Sequence, residues 1–288
     1  MGTMRLFILT ALTMIAFAAN SVLNRMALAE GAIDPAGFAL IRVVSGAVAL
    51  AVMVWARDHK IQISTTGKFW SGRFWQVIGL TAYVMAFSLA YLRLDAGVGA
   101  LILFGGVQVT MFAAAFMQGE QIPRRRAIGA VFAMAGLAYV LWPNDATGFG
   151  DLRFGALMLV AALGWGIYSL LGRGAGDPLR DTAVNFIFAA PLCGAIWLIL
   201  PGTGFASLTG VILASVSGVI TSGMGYALWY RVLPQITASI AAVAQLSVPL
   251  IALGGGMIFL GEAASSRFII GAALVLGGMV LALVPKKP

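Results

Sequence analysis

Residues 97–117 read GVGALILFGGVQVTMFAAAFM, a run of 21 residues with no charged side chain and one amide, Gln108. A helix rises about 1.5 Å per residue and the hydrocarbon core of a bilayer is about 30 Å thick, so such a run is long enough to cross it. Nine more stretches repeat the pattern. With the first, they cover 5–26, 35–55, 74–92, 97–117, 128–142, 153–172, 182–200, 208–230, 236–260 and 268–284 of the 288 residues. The expectation is an all-α integral membrane protein with ten transmembrane helices. A soluble chain that is 61% apolar and 10% charged would have too little polar surface to cover itself. The longest gap, 56–73, is 18 residues, which leaves no room for a soluble domain.

The net charge of +8 could suggest nucleic acid, but its distribution reads as membrane topology. With a cytoplasmic N-terminus and ten crossings, 13 of the 18 basic residues fall inside: Arg5, Arg57, Lys60, Lys68, Arg73, Arg124, Arg125, Arg126, Arg173, Arg180, Arg231, Lys286 and Lys287. Four, Arg25, Arg93, Arg153 and Arg267, fall outside, and Arg42 lies within the second span. This is the positive-inside bias, and it predicts both termini in the cytoplasm of a cell-membrane protein. A lone cysteine, Cys193, and a lone histidine, His59, support neither a disulfide nor a metal site. The first span could also be read as the apolar core of a signal peptide. Its counterpart later in the chain argues against removal.

That counterpart belongs to an internal repeat. Shifted by 142 residues, Gly119, Glu120, Arg125, Ile128, Gly129, Ala130, Gly136, Leu141 and Pro143 fall on identical residues from Gly261 to Pro285. A shift of 148 superposes Arg5, Leu9, Ser21, Leu23 and Arg25 on Arg153, Leu157, Ser169, Leu171 and Arg173, and a shift of 143 places Asp34-Pro35 on Asp177-Pro178. The expected units are residues 1–147 and 148–288, each with five spans. Because five is odd, the halves must enter the membrane from opposite sides. Such inverted repeats form a substrate site near midplane between them.

Two five-helix halves, each with a Gly-Glu turn (Gly119-Glu120 and Gly261-Glu262) before a Gly-rich last helix, resemble the drug/metabolite transporter superfamily along essentially the whole chain. The sequence is most similar there to ten-helix EamA-type exporters, in particular those that export aromatic amino acids. The resemblance implies a central cavity lined by the first, third, fourth, sixth, eighth and ninth helices, with the fifth and tenth peripheral. It also identifies Arg42 with the second-helix arginine of the family pattern. The matching place in the second half holds Asn185.

Within the lining helices, polar and aromatic residues near mid-depth are the candidate substrate contacts: Asn20, Tyr83, Phe87, Phe104, Gln108, Trp165, Tyr168, Ser222 and Gln245. Buried amides need protein or water partners, and aromatic walls with a few amides suit an amino acid with an apolar side chain. Ordinary helix packing accounts for each aromatic equally well. Arg42, about 10 Å in from the outer end of its span, needs either a carboxylate partner such as Glu30, Asp34 or Asp95, or a role in capturing a substrate carboxylate; the ion pair is favoured. Glu120 and Glu262 are expected to accept from free N–H groups at the start of the helix that follows each. Trp142, Trp229 and Tyr230, at span ends, read as interfacial anchors.

All ten acidic residues lie in loops or at span ends, so no carboxylate relay crosses the membrane, and facilitated export or exchange is expected. No catalytic group, cofactor or metal is expected, since the chain has no H-E-x-x-H, no G-x-S-x-G and no membrane-embedded carboxylate pair. The partners are lipid and a small solute, with no nucleic acid, and a monomer is favoured. A multidrug or cationic-metabolite exporter and a non-transporting membrane assembly protein are the competing readings.

Overall fold

The computed structural model describes residues 2–59, 67–117, 119, 123–142, 148–172, 176–200, 202, 204–236, 241 and 244–283. Lys60, Glu120, Asp145, Arg173, Lys286 and Lys287 lie outside the described residues. The first seven spans are α1 (Thr3–Ala29), α2 (Pro35–Asp58), α3 (Gly67–Ala90), α4 (Ala96–Met117), α5 (Arg124–Leu141), α6 (Gly148–Gly172) and α7 (Pro178–Ile199). The eighth is α8 (Leu208–Val216), a π-helical segment (Ser217–Met224), α9 (Gly225–Val232) and a short 3-10 turn (Leu233–Gln235). The ninth and tenth are α10 (Ser247–Leu260) and α11 (Ser266–Leu283).

Six of these helical units are long and apolar enough to cross a membrane by themselves: α1, α2, α4, α6, α7 and the composite eighth span. Within the expected ninth span, 236–260, the described residues hold a continuous α-helix of 14 residues, Ser247–Leu260. Around the outside of the bundle stand exposed apolar side chains such as Phe116, Leu198, Ile199 and Ile258. Lipid is the solvent that suits such a surface.

Two helices open on aspartate side-chain caps. Asp34 accepts from the Gly37 N–H at 2.8 Å and Asp177 from that of Arg180 at 3.3 Å, each with a proline at the first helical position. The two Asp-Pro pairs thus open α2 and α7. At the other end of α10, Gly261 adopts φ 66° and its N–H bonds Gly256, closing the helix with a left-handed residue.

α3 packs on α6, α2 on α7, α5 on α11, and α4 on both α6 and α10; α1 lies against the eighth span and α10. Exchanging the first five spans with the last five maps each of these pairs onto another or onto itself. The central crossing is close. Gly79 of α3 and Gly164 of α6 meet without side chains between them, which brings Tyr83 and Trp165 to the same depth with ring centroids 5.1 Å apart.

Candidate functional site

At the junction of five spans, Phe17 and Asn20 of α1, Tyr83 and Phe87 of α3, Leu103 and Phe104 of α4, Trp165 of α6 and Tyr226 of α9 line a central chamber. Its free volume is about 10 Å³, room for the centre of about one water. The walls are interlocked aromatics. Phe17 is the hub, 5.8 to 6.3 Å from Phe104, Trp165, Tyr226 and Trp229 between ring centroids. Trp165 lies 4.8 Å from Tyr226 and 5.5 Å from Tyr168.

One side of the chamber is polar. Asn20 donates from Nδ2 to the Tyr83 hydroxyl at 3.3 Å, while its Oδ1 accepts from Ser217 at 2.6 Å and Thr221 at 3.1 Å. Behind Tyr83 and Tyr226 lies Arg42, fully buried. Its Nε donates to Ser222 Oγ at 2.8 Å, and its Nη2 donates to the hydroxyls of Tyr83 at 3.0 Å and Tyr226 at 3.3 Å. The guanidinium carbon stands 5.2 Å from the ring centroids of both Tyr83 and Phe87.

The π segment makes this arrangement possible. Hydrogen bonds from i to i+5 widen the helix and bring residues four and five apart to one face. Ser217, Thr221 and Ser222 are consequently all buried, the first two on Asn20 and the third on Arg42. Gly218 lets α2 approach, because a Cβ there would overlap Ser45 and the Arg42 carbonyl.

Of the nine candidates, Asn20, Tyr83, Phe87, Phe104 and Trp165 are chamber residues. Ser222 sits one step behind, under Arg42, and Tyr168 packs behind Trp165. Gln108 and Gln245 are half-buried and are not among the lining residues. Phe17, Leu103 and Tyr226 belong to the wall and were not among the candidates; Phe17, three residues before Asn20, shares its helix face.

Three expectations are corrected. Arg42 bonds three hydroxyls and none of Glu30, Asp34 or Asp95, because α2 turns it inward toward the eighth span while Asp34 caps α2 and Asp95 faces Arg25. Trp229 and Tyr230 are buried, since the eighth span runs on to Gln235 and sets them a turn deeper than its end. Glu262 does not cap the helix that follows it. Both its oxygens accept from the Ala96 N–H at the start of α4, at 3.1 and 2.9 Å, with Arg25 Nε at 3.4 Å, while Ser265 caps α11 through the Phe268 N–H. Glu120 lies outside the described residues.

The opposite end of the bundle carries a second set of ion pairs. Arg57 bridges Asp58 and Asp177, Arg180 meets Asp58, and Arg73 binds Asp181 and Asn185. Together they tie α2 and α3 to α7. Among the described residues no group of His, Cys, Asp and Glu is arranged to hold a metal.

The sequence profile of the EamA-like transporter family matches residues 4–142 and 153–284. The chain is 41% identical over 98% of its length, and 96% of the relative's, to an uncharacterised protein of Pseudomonas aeruginosa. It is 25% identical to the uncharacterised transporter YoaV of Bacillus subtilis over 86% of this chain and 87% of that one. A probable terminal-alkyne amino-acid exporter of Streptantibioticus cattleyicolor is 24% identical over 70% of this chain and 69% of its own. A crystal structure of a protein 20% identical superposes with a TM-score of 0.67 over 94% of this chain and 95% of that one, a likeness of fold.

Proposed function

The chain belongs to the EamA-like transporter family, and from that premise we propose that it exports amino acids, aromatic and other neutral ones, from the cytoplasm by alternating access. The observation that carries the reading is the chamber: aromatic rings from five spans close around a small void beside a hydrogen-bonded Asn20. Rings provide an apolar surface for a side chain, and the polar edge offers partners to a backbone-like head group. An amino-acid exporter among the relatives, at 24% identity, is in keeping with this. Two halves inserted in opposite senses, residues 1–147 and 148–288, would rock about the chamber. The excess of basic residues on one side supports cytoplasmic termini in a cell membrane. Facilitated export or exchange fits the placement of every acidic residue in a loop or at a span end.

Export of cationic drugs is the weaker alternative, because the charge next to the chamber is itself a cation. An assembly role is weaker still, since a hydrogen-bonded polar cluster is costly to maintain in hydrocarbon with no solute to serve. The test is counterflow in proteoliposomes with a panel of radiolabelled amino acids. Exchange of at least one aromatic amino acid, abolished in protein-free liposomes, is expected; absence of exchange across the panel counts against the proposal.

A further inference from the structure

The polar cluster behind the chamber has more hydrogen-bond donors than acceptors. Arg42 carries five N–H groups on a guanidinium with no exposed surface. Nε is satisfied by Ser222 and Nη2 by the two tyrosines, but Nη1 has no partner among the described residues. The acceptors nearby are already engaged. Tyr83 oxygen receives both Arg42 and Asn20, and Asn20 Oδ1 receives both Ser217 and Thr221.

Among the described residues no carboxylate pairs with the guanidinium, and every acidic residue of the sequence lies in a loop or at a span end. Asp95 and Glu262 face Arg25, Asp181 faces Arg73, and Asp34 caps α2. A buried cation with an unmet N–H pair is expensive in hydrocarbon, and an anion that reaches it recovers both the charge and the missing hydrogen bonds. Tyr83, Phe87 and Tyr226 line the chamber and also touch Arg42, the first two through rings 5.2 Å from its guanidinium carbon and both tyrosines through their hydroxyls.

We propose that Arg42 Nη1, together with the Tyr83 and Tyr226 hydroxyls, is the docking point for a carboxylate of the transported solute, and that the aromatic walls take its apolar tail. This rests on the chamber being the substrate site. The same geometry says what is not read. A solute ammonium group would find no carboxylate at the chamber and would stand near Arg42 of like charge. The recognised class is therefore apolar-tailed carboxylates, with amino acids as members of it by virtue of their carboxylate and with the α-ammonium dispensable. Guanidinium–carboxylate bonding is charge-assisted and is the strongest single interaction the site can offer.

The test compares three probes with one tail, 3-phenylpropionate, phenylalanine and phenethylamine, binding to the purified full-length protein by quenching of tryptophan fluorescence. Wild type is expected to bind the first two and to bind phenethylamine weaker by about tenfold or more. Arg42→Gln should lose carboxylate binding by about tenfold or more, and Arg42→Lys should recover part of it. Tyr226→Phe keeps the ring and removes one hydroxyl; it should weaken both carboxylates and leave phenethylamine unchanged, which keeps the proposal testable if Arg42→Gln does not fold. Equal binding of phenethylamine and 3-phenylpropionate, no carboxylate binding by wild type, or undiminished carboxylate binding by a folded Arg42→Gln overturns the docking point. Counterflow separates the two readings. Arg42-dependent carboxylate binding without flux leaves the docking point standing and defeats transport, whereas flux of all three probes regardless of the carboxylate does the reverse.

Discussion

Gly79 and Gly164 meet backbone to backbone: a Cβ added to Gly164 would lie 2.5 Å from the Gly79 carbonyl oxygen, and one added to Gly79 would lie 2.8 Å from that of Gly164. The contact sets the spacing of α3 and α6, and with it the 5.1 Å separation of Tyr83 and Trp165. The neighbours are main-chain atoms, which cannot swing away. Gly164→Ala should therefore destabilise the protein by about 1–3 kcal/mol, with a lowered midpoint in thermal unfolding in detergent. Gly2→Ala, where nothing lies within 4 Å, is the control. Equal midpoints for the two variants would show that the helices separate without cost.

Trp165 presents its indole to the chamber between Tyr83 and Tyr226. Shortening it to Ala should change transport of bulky aromatic and small amino acids by different factors, with the ratio shifting by about tenfold. Competition assays on reconstituted protein read this ratio. A uniform loss across substrates at normal expression would assign Trp165 to packing or to the transport motion.

Chamber-lining and packing roles diverge in what the sequence could reveal. Asn20 and Phe17 lie on one helix face, so a period of three to four residues already joins them. Tyr83 with Phe87, and Trp165 with Tyr168, were legible in the same way. Arg42 on Ser222 was not. These residues are 180 positions apart, and their contact depends on a π segment that no apolar pattern announces. Hydropathy likewise located the eighth span but not its end, which left Trp229 and Tyr230 a turn too shallow. The Asp-Pro caps were open to reading because they are local; the anchoring of α4 by Glu262 was hidden because it reaches across 166 residues.

Every carboxylate of the sequence, and its one histidine, lies in a loop or at a span end, away from a relay across the membrane. Collapse of the proton gradient with an uncoupler should leave downhill amino-acid flux in vesicles largely intact. A strict requirement for an imposed pH gradient would point to a proton site at the helix ends, with Glu262 the first to replace.

The two ends of the bundle should differ in their response to acid. Burial pushes the Glu262 carboxyl above its usual range, against the opposing pull of the Ala96 N–H and Arg25, whereas hydrogen bonds from Arg57 hold Asp58 and Asp177 below theirs. A raised carboxyl favours folding at low pH and loses that contribution as pH rises through its folded value; the lowered pair contributes above its unfolded value, about 3.9, and fails only as pH falls through the folded one. Acidification should thus protonate Glu262, and begin to release Arg25 and Ala96 from it, before the Arg57 cluster loses its charge. Infrared titration should show a carboxyl band above the ordinary glutamate range that Glu262→Gln removes. Its absence would mean that Glu262 is better hydrated than its surroundings indicate.

Orientation can be read by thiol labelling in intact cells. The lone cysteine, Cys193, is fully buried, so Cys193→Ala is a mild background. A cysteine placed at exposed Glu30 should react with a membrane-impermeant maleimide from outside, and one at exposed Arg124 only after the membrane is opened. The reverse pattern would overturn the orientation and with it the direction of export.

The near-absence of free space in the chamber bears on the passage of protons as well as of solutes. Protons cross membranes along chains of touching water molecules, and a void with room for about one water, walled by Phe17, Phe104 and Trp165, interrupts any such chain. In this closed arrangement the chamber itself holds no continuous water wire, and entry of a polar solute requires the rings of Phe17, Phe104 and Trp165 to part.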